Sequence, residues 1–194
     1  MPRFMVMTNN ATATQTQTAT QTQTTPQAQT AHRDQPQTQP VAAPRLDFAK
    51  AAPKAFKALI GFDAAARDGL DPALVELVQI RASLLNGCAY CLHMHTSDAR
   101  KAGEDEARLH MIGVWREARN FFTEKEQAAL ALTEAVTLVA RGGVPDDVYA
   151  RAARHFDEAE LARLLALIFA INTWNRIALS TAKTAGEDER TAAH

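Results

Sequence analysis

The sequence predicts an all-α protein. It comprises a single helical domain of six to eight helices over residues 45–186, a disordered Thr/Gln-rich tail over 1–44 and a flexible C-terminus over 187–194. Three observations predict this. Helix start and stop signals recur along the chain, apolar residues repeat with a period of about 3.6, and β-branched runs are absent.

The elements follow in order. Pro53 opens a segment that runs to Arg67 and ends at Asp68-Gly69. Asp71-Pro72 supplies an N-cap and a proline at the first helical position. Leu74, Leu77, Val78, Leu84 and Leu85 then form an apolar stripe, and Asn86-Gly87 ends the helix with residues that tolerate a left-handed backbone. The next helix begins near Cys88 and runs to Ala102, with Gly103 as its stop. Thr123-Glu124-Lys125-Glu126 is a capping box, and its helix is expected to stop at Gly142-Gly143. Pro145-Asp146 opens a shorter helix. Asp157 to Glu160 caps a long one through Leu161, Leu164, Leu165, Ile168, Ile171, Trp174 and Ile177.

Every residue from Ala11 to Thr30 is Thr, Gln, Ala or Pro, a composition with nothing to bury and nothing to offset the entropy of ordering. The net charge of −1 gives no field that calls for nucleic acid or an anionic membrane. No apolar run reaches the length of a bilayer span, and the first seven residues are too short for a secretory signal. A cytoplasmic location is the expectation. No nucleotide fingerprint or phosphate loop occurs, so no cofactor is expected.

The two cysteines of the chain, Cys88 and Cys91, stand three positions apart, too close to staple distant segments. With Cys88 in the first helical turn, Cys91 lies at about 300° and His95 at about 340° on the same wheel, one stripe of the helix. Cys91 and His95 are at i and i+4, and the two sulfurs are within reach of a disulfide. A helix N-terminus favours thiolate over thiol, and a neighbouring imidazole can take the proton. A thiolate that attacks a peroxide becomes a sulfenic acid, and a second thiol condenses with it to a disulfide. An external dithiol must then reduce that disulfide by exchange.

Other readings accompany this one. The cysteines could be an inert core pair, or structural zinc ligands with His95 and either His93 or His110. A c-type haem is excluded because Leu92 stands where His is needed. His93 points away from His95 and reads as a surface residue. Glu76, twelve positions before Cys88, reads from pattern alone as an exposed helix-surface glutamate. Asn172 and Asn175 interrupt an apolar stripe and read as amides hydrogen-bonded at a helix contact.

The stretch from Glu76 through Arg81-Ala82-Ser83-Leu84-Leu85-Asn86-Gly87-Cys88-Ala89-Tyr90-Cys91-Leu92-His93-Met94-His95-Thr96 resembles the alkylhydroperoxidase D-like branch of the carboxymuconolactone decarboxylase family. Ile171-Asn172-Thr173-Trp174-Asn175-Arg176 resembles it too. The resemblance implies an all-α fold, assembly as a homo-oligomer (trimer or hexamer) and thiol-dependent reduction of a hydroperoxide substrate. It assigns attack on peroxide to Cys91, resolution to Cys88 and a proton relay to Glu76 and His95. Tyr90 departs from the founding enzymes, which carry a histidine there. The sister decarboxylases act on a lactone ring and lack this cysteine pair, so decarboxylation is disfavoured. A non-enzymatic redox sensor or scaffold with the same disulfide switch is the alternative function.

Overall fold

The computed structural model of the chain describes residues 43–187. The expected tail and flexible C-terminus fall almost wholly outside those residues. Among the described residues there are eight α-helices and no strand: α1 (Phe48–Ala51), α2 (Pro53–Arg67), α3 (Pro72–Asn86), α4 (Ala89–Lys101), α5 (Glu106–Met111), α6 (Glu124–Thr137), α7 (Asp146–Ala153) and α8 (Glu158–Thr181).

Local chemistry sets most of these boundaries. The Asp71 side chain accepts the Leu74 N–H at 3.0 Å and caps α3. Thr123 with Glu126, and Asp157 with Glu160, form complete capping boxes at α6 and α8. Gly87 ends α3 at φ 66°, a left-handed conformation that a side chain would strain. Two boundaries differ from expectation. The helix expected to reach Gly142-Gly143 stops at Thr137, and Val139–Arg141 tightens into a 3-10 turn. Residues 104–122, which carry little periodicity, hold α5 and two further 3-10 turns.

The long helix α3 is the centre of the bundle and packs against α4, α6 and α8. One core cluster joins α2, α3, α6, α7 and α8 through Val78, Leu132, Leu164 and Ile168. A second gathers Leu77, Ile80, Ile112, Trp115 and Leu130 under α4 and α5. Trp115 is buried, and its indole N–H donates to Glu134 Oε1 at 2.6 Å. Arg81 completes this anchor with a 2.7 Å ion pair to the same carboxylate. The third cluster contains both cysteines, packed with Ala82, Ile171 and Ala178.

Two expectations about apolar faces change. Leu84 is 37% exposed, whereas Gln79 and Ser83 are fully buried, so the inner face of α3 is more polar than its leucines suggest. In addition, α8 is long and apolar enough to cross a membrane by length and composition alone. Half of that window is buried, with Leu164, Leu167, Ile168 and Ile171 packed inside the domain, as in a core helix.

Candidate active site at the start of α4

The turn between α3 and α4 builds the site. After Gly87, the Cys88 N–H donates back to Ser83 O at 3.0 Å. This return leaves Cys88 extended, at φ −85° and ψ 92°, so it is the N-cap of α4 and not a residue of its first turn. Its sulfur takes the role that a serine oxygen usually takes, accepting the Cys91 N–H at 3.4 Å. The two sulfurs lie 2.6 Å apart as free thiols, and both side chains are buried.

The two thiols move in opposite directions from their ordinary value. Cys88 is drawn from an ordinary 9.0 to about 7, chiefly by its hydrogen bond with the Cys91 side chain. Burial opposes that shift, and the Cys91 N–H and the Asn175 amide assist it. Cys91 moves up, first because its thiol is engaged by Cys88 and then because it is buried. Of the two, Cys88, the helix cap, is the thiol more readily ionised, and Cys91 is the one held protonated.

One turn along α4, His95 is buried and its Nδ1 lies 2.9 Å from Glu76 Oε2. The Glu76 side chain is 15% exposed, so it is not the surface glutamate that its pattern suggested. Behind it, Arg67 lies 3.5 Å from Glu76 Oε1 and donates to Asp63 at 2.8 Å, a chain of charges from α2 to α4. The packing of α3 against α4 brings Glu76 to His95, a meeting the sequence could not supply. Cys88, Cys91, His95 and Glu76 thus all lie at the α3–α4 pair.

The site also has members that sequence reasoning assigned elsewhere. Asn175 of α8 is buried; its Oδ1 accepts from Asn86 Nδ2 at 2.8 Å and its Nδ2 donates to Ser83 Oγ at 3.1 Å. Asn172 accepts from the same Asn86 amide at 3.0 Å. These are the helix-contact amides expected from two polar interruptions in an apolar helix. What spacing could not show is that they join α8 to the end of α3, where Asn86 and Ser83 precede the Cys88 turn.

His93 is exposed, and the exposed His110 faces Glu106 at 3.3 Å. Among the described residues no three His, Cys, Asp or Glu side chains converge to hold a metal ion. Two surface cavities flank the start of α4. One, of about 440 Å³, is lined by Leu84, Leu92, His93 and Thr96; the other, of about 160 Å³, by Tyr90, Lys183 and Leu46. Neither is lined by a cysteine.

Fold and site define a class: an all-helical domain with a buried dithiol at a helix start and a carboxylate–imidazole pair beside it. Residues 52–135 match the carboxymuconolactone decarboxylase family, a span that includes all four predicted site residues and stops short of Asn175. The uncharacterized protein YdfG of Bacillus subtilis is 39% identical over 70% of this chain and 92% of its own length. The uncharacterized protein YnjA of Escherichia coli is 30% identical over 53% of this chain and 55% of its own. A solved structure from Agrobacterium tumefaciens, of unknown function and described as a candidate antioxidant-defence protein AhpD, is 37% identical. It superposes with a TM-score of 0.72 over 75% of this chain and all of that one. An uncharacterized peroxidase-related protein from a Silicibacter species shares the fold, at 18% identity and a TM-score of 0.60, over 69% of this chain and 71% of its own. The chain belongs to the carboxymuconolactone decarboxylase family, in its alkylhydroperoxidase D-like branch.

Proposed function

We propose that this protein is a thiol-dependent peroxidase that reduces hydroperoxides through a Cys88–Cys91 disulfide cycle. The observation that carries the reading is the pair of free sulfurs 2.6 Å apart with His95 one turn along α4 and hydrogen-bonded to Glu76 of α3. The antioxidant description of the Agrobacterium relative supports it.

In this reading the proton of the Cys91 thiol crosses to Cys88 as Cys91 attacks. The S–O bond forms, the O–O bond breaks, and Cys91 becomes a sulfenic acid while an alkoxide leaves. Glu76 accepts the Nδ1–H of His95, which directs the Nε2 of the same ring to proton traffic. His95 Nε2 takes a proton from solvent and hands it to the alkoxide, giving the alcohol. Cys88 thiol then attacks the sulfenic sulfur; the S–S bond forms and water leaves with the Cys88 proton. An external dithiol returns the disulfide to two thiols by exchange. The cytoplasm supplies such donors, and exposed Leu84, Val114, Phe169 and Leu179 support assembly into a trimer or hexamer.

A redox sensor or scaffold with the same switch is the second reading, favoured by the 1% exposure of each cysteine, which slows access of peroxide and reductant. The test is peroxide-driven thiol loss followed by mass spectrometry in wild type, Cys88→Ser and Cys91→Ser, with a dithiol recycling assay. A peroxidase gives a Cys88–Cys91 disulfide in wild type, a sulfenic acid on Cys91 in Cys88→Ser, and repeated turnover. One disulfide per chain without recycling selects the sensor. Thiols no faster than free cysteine sink both.

A further inference from the structure

The two oxygens of Glu76 face different elements. Oε2 lies 2.9 Å from His95 Nδ1, and Oε1 lies 3.5 Å from Nη1 of Arg67, the last residue of α2. A carboxylate held at one oxygen alone can turn about its broad terminal torsion. A guanidinium at the second oxygen removes that freedom and keeps Oε2 toward the ring. Arg67 is itself held, since its Nε donates to Asp63 Oδ2 at 2.8 Å, one turn back on α2. The other oxygen of Asp63 is buried with no hydrogen-bond partner among the described residues, a costly arrangement in which the carboxylate is met through Arg67. Stability does not account for this. The Arg67 side chain is 34% exposed, and ion pairs at such exposure contribute little to folding. A cation closing the last turn of α2 needs no reach beyond its own helix, yet this one extends to α3.

We propose that Arg67 is a positioning residue for the proton relay: held by Asp63, it pins Glu76 so that the carboxylate keeps His95 in its Nδ1–H tautomer and leaves Nε2 for proton exchange. The proposal deepens the peroxidase reading and rests on it for its purpose, while the tautomer itself stands apart from that reading. Its consequence is a dependence on the leaving group. With an alkyl hydroperoxide the S–O bond forms, the O–O bond breaks, and an alkoxide leaves that must take a proton from His95. With a peracid the S–O bond forms, the O–O bond breaks, and a carboxylate leaves that needs no proton. Sulfur is oxidised and the peroxide reduced in both, so the two oxidants differ in their need for the relay.

The experiment compares wild type with Arg67→Gln in two measurements on the full chain. The 15N resonances of the His95 ring report its tautomer, expected to be Nδ1–H in wild type and mixed in the variant. Stopped-flow oxidation of the reduced protein then uses tert-butyl hydroperoxide and peracetic acid. The variant is expected to lose roughly tenfold in rate with the hydroperoxide and less than about twofold with the peracid. In a Glu76→Gln background, Arg67→Gln should cost nothing further, because it acts through Glu76. Asp63→Asn, which weakens the hold on Arg67, should give the same selective loss. A folded Arg67→Gln that keeps the wild-type tautomer, or one that loses rate equally with both oxidants as a merely structural role would, overturns the proposal. A tautomer lost in the variant of a protein whose thiols ignore both oxidants upholds the positioning and removes the peroxidase reading instead.

Discussion

Glu76 and His95, nineteen residues apart on successive helices, share a 2.9 Å hydrogen bond inside the domain. The bond gives the imidazole one orientation and one tautomer, because a carboxylate accepts the Nδ1–H and leaves Nε2 for proton exchange. His95 is buried, so its ring depends on Glu76 for that alignment.

Glu76→Gln keeps the size of the side chain and removes the charged acceptor. We expect peroxide-driven oxidation of the dithiol to slow by about 100-fold, the lower range of acid–base contributions. His95→Gln should match it, and the double variant should add little, since both act through one relay. Stopped-flow oxidation of the three variants checks this; a wild-type rate in Glu76→Gln would remove the relay.

The dithiol makes stability depend on pH in two opposite senses. The folded-state value of Cys88 is depressed, so its contribution is fully present above the unfolded value of 9.0 and is lost as pH falls through about 7. Between about pH 7 and 9 the unfolded chain holds the extra proton, and stability rises with pH. Above that range the raised Cys91 keeps a proton that the unfolded chain releases, and stability declines. Urea midpoints of the reduced protein, against a variant with both cysteines replaced by serine, should show the largest advantage near pH 9. A difference that is flat from about pH 6 to 10 would contradict the opposed shifts of the two thiols.

Tyr90 stands where the founding enzymes carry a histidine, and its ring packs on the cysteine cluster with Lys183 Nζ 5.1 Å from the ring centroid. If the ring is its contribution, Tyr90→Phe retains the peroxide rate while Tyr90→Ala lowers both thermal stability and rate. Equal losses of rate in the two variants would assign the role to the hydroxyl.

Glu134 gathers Trp115, Arg81 and Arg116 at one carboxylate that is 14% exposed. Glu134→Gln keeps shape but loses the charge-assisted bonds, a cost of about 1.5–3 kcal/mol. Thermal or urea unfolding measures it. The dithiol oxidation rate should hold, because this anchor lies in the second core cluster rather than at the α4 start.

Much of the helical framework is written locally. Asp71, Thr123 and Asp157 cap their helices through bonds that span three residues, so the start of each is legible without any tertiary partner. The gathering of Cys88, Cys91 and His95 is local for the same reason, since one helical turn sets their spacing. Residues 104–122 were not legible, because a six-residue helix and two 3-10 turns carry too few positions to show a period.

Other features depended on which helices cross and where. The sequence by itself determined the all-helical class, the family resemblance and the short-range thiol pair. Only the packing of α3 against α4 put Glu76 on His95, and only the packing of α8 against α3 put Asn175 on Asn86 and Ser83. The turn at Gly87 made Cys88 a cap rather than a helical residue, with its sulfur against the Cys91 thiol that lowers it. Capping and i, i+4 spacing act within a few residues, whereas a buried polar contact between helices exists only once their apolar faces have set the crossing.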